Sequence, residues 1–549
     1  MKNWKNNSKI GMNMLCISLF ICFMIFIFAP LEIYLAQKEE FYFGGSDVVP
    51  FAMLFFVASF VASLIALFVI GCISLKAAQI IAAMVAFVGF ALYIQGNYIL
   101  ADYGTLNGNP IDWSMYRVEG LVSNGLFLVL IVLGIVLVKK VPLQKLLSAL
   151  SGIAICIVLV QVVTLVTLLI QKGGLDKEPI YYTTTKNEFN YSKEKNVIVL
   201  LLDNFDSAVF SEVLQEDSAS EYEDILTGFT YYPDTLGMYS ATDFAIPQIL
   251  TGEKYKNDIP YGEYVDTSFE NSPFLNELYE EDWDCGIYSI QLMPVLENED
   301  MIENVEKVQL TVSSHRRLAK YMYKFAGFRY LPQCLKEYCW FYPDDMKEMM
   351  RIKDANGRRI FDWNNRNFYE DLEAVEVNKD SNSFHFYHLE GTHSPFTMDE
   401  DLNYTKETTS IQEEAKAMLK LMDSYFAKLK EMGIYDDAAI IVMADHGNNE
   451  YHQNPIFMIK GMQEQHAFTV SDKKLSYEDI QSVLKNAKDG KGAEASVLDR
   501  SNEERIFYFY NDSHLKEDSY SEDIVEYTTF GNAKDATALK ETGVRHERW

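Results

Sequence analysis

Residues 196–206 read NVIVLLLDNFD. Val197 to Leu202 are apolar without a break, β-branched residues give way to leucines, and the run stops abruptly at Asp203. A continuous apolar run, rather than an alternating one, belongs to a strand buried on both faces, as in a parallel sheet. Later stretches repeat the pattern: WDCGIYSI (283–290), SFHFYHLEG (383–391), AAIIVMADHG (438–447) and PIFMIKG (455–461). Helical patterns lie between them, including SPFLNELYEE (272–281) and TSIQEEAKAMLKLMDSYFAKLKEMG (409–433). Strands alternating with helices predict an α/β domain with a mostly parallel central sheet, its core spanning 195–465. Such sheets bind ligands beyond the C-terminal ends of their strands. Asp203 and the pair Asp445–His446 stand at such ends, and His393 follows shortly after its own.

Upstream, residues 172–194 are polar and read as a linker. Residues 1–171 are different in kind. Five apolar stretches, roughly 10–31, 50–74, 77–99, 122–138 and 146–170, approach or exceed the ~20 residues that a membrane-spanning helix needs. The first is too long, and lacks a small-residue cleavage site, for a signal peptide. Lys2, Lys5 and Lys9, then Lys76, then Lys139, Lys140 and Lys145 flank the spans on one side. The connections 32–49 and 100–121 are acidic, with only Lys38 and Arg117. This asymmetry predicts a multi-pass cell-membrane protein with a cytoplasmic N-terminus and everything after residue 171 extracytoplasmic.

Charge divides along the same line. The 549 residues carry a formal −30; residues 1–171 hold nine basic and seven acidic side chains, leaving −32 to the rest. So acidic a region lacks the basic face that nucleic acid requires. Seven cysteines, four of them in apolar runs, exclude a disulfide framework, although Cys334 and Cys339 are spaced to allow a bridge. Residues 466–549 form a charged C-terminal segment completing the domain, with ERIFYFYND (504–512) as a further strand of a small terminal sheet.

The chemistry sits in four places. ADHG (444–447) sets a carboxylate and an imidazole on adjacent residues, an oxygen and a nitrogen donor for a divalent ion. Asp203 offers a second carboxylate from another strand end, unless it caps the helix that follows, a role open to Asp206 or Ser207. YPDTLGMYSATDFAIPQILTGE (232–253) supplies hydroxyls, Ser240 and Thr242. Thr242 stands before a helical pattern, where it could cap the helix or attack phosphorus as a metal-activated alkoxide. EGTHSPF and NEYHQNP place His393 and His452 for contacts to substrate oxygens, a second metal or proton donation. His385 and His388 fall on opposite faces of one strand and read as structural.

The order strand–Asp203, Thr242 before P-x-x-L-T-G, G-T-His393-S-P-F, A-Asp445-His446-G and then His452 resembles the alkaline phosphatase/sulfatase superfamily. With five preceding spans, it resembles the membrane branch of lipoteichoic acid synthase and the phosphoethanolamine transferases. The resemblance implies a sulfatase-like, alkaline-phosphatase-like domain. In it Asp203, Asp445, His446 and the Thr242 hydroxyl hold a divalent ion (Mn, Mg or Zn), while His393 and His452 contact the transferred phosphate or a second metal. Spacing in the phosphodiesterase relatives selects Thr242 as nucleophile; spacing in the phosphoethanolamine transferases selects Ser240. Thr242 is preferred here. The C/S-x-P-x-R motif that sulfatases convert to formylglycine is missing, which disfavours a sulfuric-ester hydrolase.

The expected function is therefore transfer of a phospho-alcohol head group, phosphoglycerol or phosphoethanolamine, from a membrane phospholipid to an extracytoplasmic glycan or glycolipid through a phospho-Thr intermediate. The alternatives are a membrane-anchored phosphodiesterase or sulfuric-ester hydrolase, and a catalytically silent lipid-binding homologue. SSHRRLAKYMYKFAGFRYLP (313–332) is expected to wall the substrate pocket, with Arg316, Arg317 and Arg329 facing either phosphate or anionic lipid.

Overall fold

A computed structural model of the chain describes residues 2–101, 103, 111, 113–177, 180–215, 219–290, 301–308, 310–340, 359–405, 408–448, 453–510 and 523–547. The chain divides into two compact units, Met1–Pro179 with Gln309–Ala355, and Ile180–Val308 with Asn356–Trp549.

The first unit is a helical bundle. α1 (Lys2–Phe23) runs through a π-helical turn into α2 (Ala29–Ala36); α3 (Gly45–Ile73), α4 (Leu75–Tyr98), α5 (Arg117–Lys140) and α6 (Leu143–Gln171) follow. Among the described residues, five helical segments, from Ser8–Ala36 to Leu143–Gln171, are long and apolar enough to cross a membrane. They match the five stretches read from the sequence. Their outer surfaces are apolar too, with Leu54, Phe68, Leu128 and Val163 all exposed, as side chains facing lipid rather than water must be. Small residues line the packed face of α4, where Ala78, Ala82, Ala83, Ala86 and Ala91 are buried and let neighbouring helices approach.

The second unit is an α/β domain around a seven-stranded sheet. Its strands are β1 (Asn196–Leu202), β2 (Thr230–Tyr231), β3 (Asp284–Tyr288), β4 (Ser383–Leu389), β5 (Ala438–Met443), β6 (Phe457–Lys460) and β7 (Thr469–Val470). Their order is β7-β2-β6-β5-β1-β4-β3. Only β6 runs against the rest, pairing antiparallel with β5 and β2. β1 is central, flanked in parallel by β5 and β4, and every one of its residues is buried. That is the environment its unbroken apolar run demands. Two cores result. Val197, Val199 and Leu201 pack on one face with Phe384, Phe386, Ile441 and Met443, and with α7 (Thr242–Thr251). Ile198, Leu200 and Leu202 pack on the other, against the amphipathic helix Ile411–Glu431. Arg505–Tyr510 joins Ile524–Thr529 and Lys540–His546 in a separate three-stranded sheet, as read for the terminal segment.

One segment leaves its sequence neighbours. α8 (His315–Tyr330), read from the sequence as walling a substrate pocket or facing anionic lipid, packs among the helices of the first unit. Its Arg329 is engaged by Glu32 at 2.9 Å and by the Gly96 carbonyl at 3.0 Å, so it does not wait for a phosphate. Cys334 and Cys339 are separate free thiols.

Candidate metal and nucleophile site

Strand parity assembles the site. Side chains alternate across a strand, so Asp203 continues the series Val197, Val199, Leu201, and Asp445 continues Ala439, Ile441, Met443. Both carboxylates therefore emerge at adjacent strand ends on the same side of the sheet, the side that α7 covers. Both are fully buried. Thr242 opens α7 without serving as its N-cap, which is Ala241, and its hydroxyl stands between the two strands.

The distances are short. Thr242 Oγ1 lies 3.2 Å from His446 Nε2 and 3.5 Å from Asp203 Oδ2. His446 Nε2 is 3.3 Å from Asp445 Oδ2 and 3.9 Å from Asp203 Oδ1. His446 Nδ1 lies 2.9 Å from the Gly447 carbonyl, an acceptor, so Nδ1 carries the hydrogen and Nε2 presents its lone pair. One ligand atom each from Asp203, Asp445 and His446 falls within a 4.8 Å cluster.

Each carboxylate is half used. Asp203 Oδ2 accepts from His388 Nε2 at 3.1 Å, and Asp445 Oδ1 accepts from the Asn204 amide at 3.1 Å. Asp203 Oδ1 and Asp445 Oδ2 are buried with no hydrogen-bond donor among the described residues. A buried carboxylate oxygen without a partner is costly, and buried charges normally pair or coordinate metal. Two such oxygens beside an imidazole lone pair fit a divalent cation by donor chemistry and by need.

Electrostatics favour the charged form of Asp203. Burial pushes the Asp203 carboxyl up, but the His388 hydrogen bond and the imidazoles of His446, His388 and His393 outweigh it and hold the group below its usual range. Burial pulls His446 down, and the carboxylates of Asp445 and Asp203 more than reverse this.

The backbone around Asp203 is also shaped for the site. Gly391, at φ +62°, turns the chain after β4 back over Asp203; a Cβ there would sit 2.4 Å from the Asp203 backbone nitrogen and oxygen. Asn204 takes the left-handed conformation at φ +60°, which aims its N–H at Asp445. Its side-chain amide donates to the Thr392 carbonyl at 3.2 Å and to Asn448 at 3.1 Å, tying three loops together.

Asp203, Thr242, Asp445 and His446 thus come together. His393 is half-buried on the loop after β4, its ring 5.2 Å from that of Trp363, outside the three-residue cluster. His452 lies outside the described residues. Ser240 is otherwise engaged, its hydroxyl accepting from the Tyr510 amide at 2.9 Å. His388 and Asn204 escaped the sequence reading. For His388 only part of the signal was local: its parity with Phe384 and Phe386 at the strand's C-terminal end is in the sequence, but its place beside Asp203 depends on how β4 pairs with β1. Nothing local marks Asn204.

No family model matches the chain, and no curated protein does. Solved structures similar to it include Ps i-CgsB in complex with k-i-k-neocarrahexaose, 11% identical over 61% of this chain and 82% of that one, TM-score 0.39. Another is a protein of the alkaline phosphatase superfamily from Vibrio parahaemolyticus, 13% identical over 67% and 85%, TM-score 0.34. A third is the C-terminal periplasmic domain of EcEptC from Escherichia coli in complex with Zn, 10% identical over 67% and 96%, TM-score 0.34. At such scores they are similarities only.

Proposed function

We propose that the chain is a membrane-bound, metal-dependent transferase. It would move a phospho-alcohol head group, phosphoglycerol or phosphoethanolamine, from a phospholipid to a glycan or glycolipid outside the cell. One observation carries the reading: a helix-initiating threonine hydroxyl within 3.5 Å of both a carboxylate and an imidazole, beside two buried carboxylate oxygens that lack donors among the described residues.

Asp203, Asp445 and His446, with the Thr242 hydroxyl, would hold the divalent ion. When bound it supplies Lewis acidity and lowers the pKa of the hydroxyl beside it. The residues do the rest. Position at the first turn of α7 fixes the Thr242 oxygen, and Asn204 and His388 fix the two carboxylates. In the first half-reaction the Thr242 hydroxyl gives up its proton to solvent and its oxygen forms a bond to phosphorus, while the bond to the diacylglycerol oxygen breaks and that oxygen takes a proton. His393 and His452 are the candidates to supply it. In the second half-reaction an acceptor hydroxyl displaces the Thr242 oxygen and restores the free threonine. The lysine asymmetry of the connections supports a cytoplasmic N-terminus and an extracytoplasmic α/β unit.

The test is chemical trapping. Full-length protein incubated with head-group-labelled phosphatidylglycerol and phosphatidylethanolamine, then denatured and digested, should carry a head-group phosphate on the Thr242 peptide. Thr242→Ala should lose the adduct and turnover. Label on Ser240 would move the nucleophile. Turnover without any adduct would replace the transferase by a hydrolase.

A further inference from the structure

Residues 309–340 invert the charge of their surroundings. They hold six lysines and arginines against a single acid, Glu337, in a chain of net −30 whose acidity lies almost wholly after residue 171. The segment does not stay with the acidic α/β unit. α8 buries Leu318, Ala319, Tyr321, Met322, Ala326 and Tyr330 against the membrane helices. Its N-terminal His315 meets Asp47 at the start of α3, and its C-terminal Arg329 meets Glu32 in α2 and Gly96 near the end of α4. The fit is close: Tyr330 occupies the space a Cβ on Gly96 would take. α8 therefore crosses one end of the bundle.

Its depth is marked by aromatic contacts. Tyr323 lies against Phe26, Phe51 and Phe55, ring centres 5.6 to 5.9 Å apart, and Phe55 continues into the exposed apolar face of α3 through Leu54, Val57 and Val61. A tyrosine on the rim of a lipid-facing surface marks the head-group level. On the far side of α8, Arg316, Arg317 and Lys320 are exposed, and 316 and 320 are one helical turn apart. Positive charges at head-group depth, continuous with a hydrocarbon-facing surface, match one partner: lipid whose head group carries a net negative charge.

We propose that α8 is an anionic-phospholipid-binding surface, gathering such lipids at this end of the bundle through Arg316, Arg317 and Lys320. The inference concerns the helical unit alone and holds whatever the α/β unit catalyses. Each basic side chain near an anionic surface contributes about a fivefold preference, so Arg316 and Lys320 alone should exceed tenfold.

The test reads lipid at α8 itself. Full-length protein, its native cysteines changed to serine and a fluorophore attached at Ser313→Cys, is placed in nanodiscs of neutral lipid. Head-group spin-labelled phosphatidylglycerol is added in one series and spin-labelled phosphatidylcholine in the other. Phosphatidylglycerol should quench at a concentration at least about tenfold lower. R316Q/R317Q/K320Q should bring the two curves together, and R316K/R317K/K320R should keep them apart. Should the glutamine variant not fold, salt replaces it. Going from about 0.01 M to about 1 M shortens the screening length from ~30 Å to ~3 Å and should erase the preference in the unaltered helix. Equal quenching by both lipids, a preference surviving the glutamine variant or high salt, or one lost in the charge-keeping variant would each overturn the proposal.

Discussion

Strand β4 carries two histidines three residues apart, and the sheet sends them to opposite fates. His388 faces the side that holds the site. Its Nε2 must carry hydrogen, because the carboxylate it meets, Asp203, can only accept; its Nδ1 then accepts from the Ser289 hydroxyl at 3.0 Å. His385 faces the other core. It stacks among Tyr191, Tyr288 and Tyr387, with ring centres 4.7 to 6.0 Å away and neither nitrogen in a good hydrogen bond among the described residues. Burial, then the nearby Lys379 charge, holds it far below its usual pKa. Two residues of one type, equally buried, thus differ in whether the protein gives them a polar task. The lesson is that burial of a titratable group does not identify a site; a partner with an unspent oxygen does.

The site side should fail first and hardest. Asp445→Ala and His446→Ala should abolish turnover and lower bound metal while the helical unit stays folded. Metal analysis after gel filtration checks this, and full metal occupancy in both variants would remove the assignment. His388→Gln should be milder. It keeps the volume and one donor but loses the ring that orients Asp203, a change that typically costs ten- to a hundredfold in metal affinity. A metal titration separates this from damage to folding, because excess metal should recover most of the lost activity.

The aromatic side should answer to pH instead. Glu188, whose backbone carbonyl accepts from Tyr387, is buried, and desolvation pushes its carboxyl up to about 8. The unfolded chain titrates it near 4.3. Between those values the native protein keeps a proton that the unfolded chain has lost, so stability falls as pH rises from about 4.3 to about 8 and then levels. Glu188→Gln should remove that slope. The variant should match the parent near pH 4 and exceed it above pH 8 by on the order of a few kcal/mol. Melting curves at both ends of the range check it; an equal gap between variant and parent throughout would refute the assignment.

How much of this was readable beforehand follows from the range of the interactions involved. The spans and the sheet rest on apolar runs of about six to twenty-five residues, and both units show them where the sequence put them. Asp203, Asp445 and Thr242 were readable because strand ends and a helix start are local features. α8 was not. Its amphipathic face has the same spacing whether it covers a catalytic pocket or a helical bundle, and only Gly96, Glu32 and Phe51, more than two hundred residues upstream, distinguish the two. His388 needed the register of β4 beside β1, which pairs Leu201 with it, and register is a property of two strands.

The smallest expected effect lies at His385, where the comparison is most exposed. If that imidazole has no polar task, its two nitrogens are a burden carried inside an aromatic cluster. Replacing both members of a buried polar contact by apolar groups is near neutral, and among the described residues there is no good contact to lose. His385→Phe keeps a flat ring that can stack on Tyr288, now parallel to it within 6°, but adds volume to a closely packed core. The gain from removing unsatisfied nitrogens and the cost of overpacking each come to roughly 1 to 3 kcal/mol, with opposite signs. The net change in unfolding free energy should therefore stay within about 1 kcal/mol of zero, with turnover and metal content untouched. Denaturant unfolding of the full chain in detergent, followed by near-ultraviolet dichroism of the tyrosines, measures it. A loss of activity at unchanged stability would mean that the two faces of β4 are coupled, and His385 would then belong to the site.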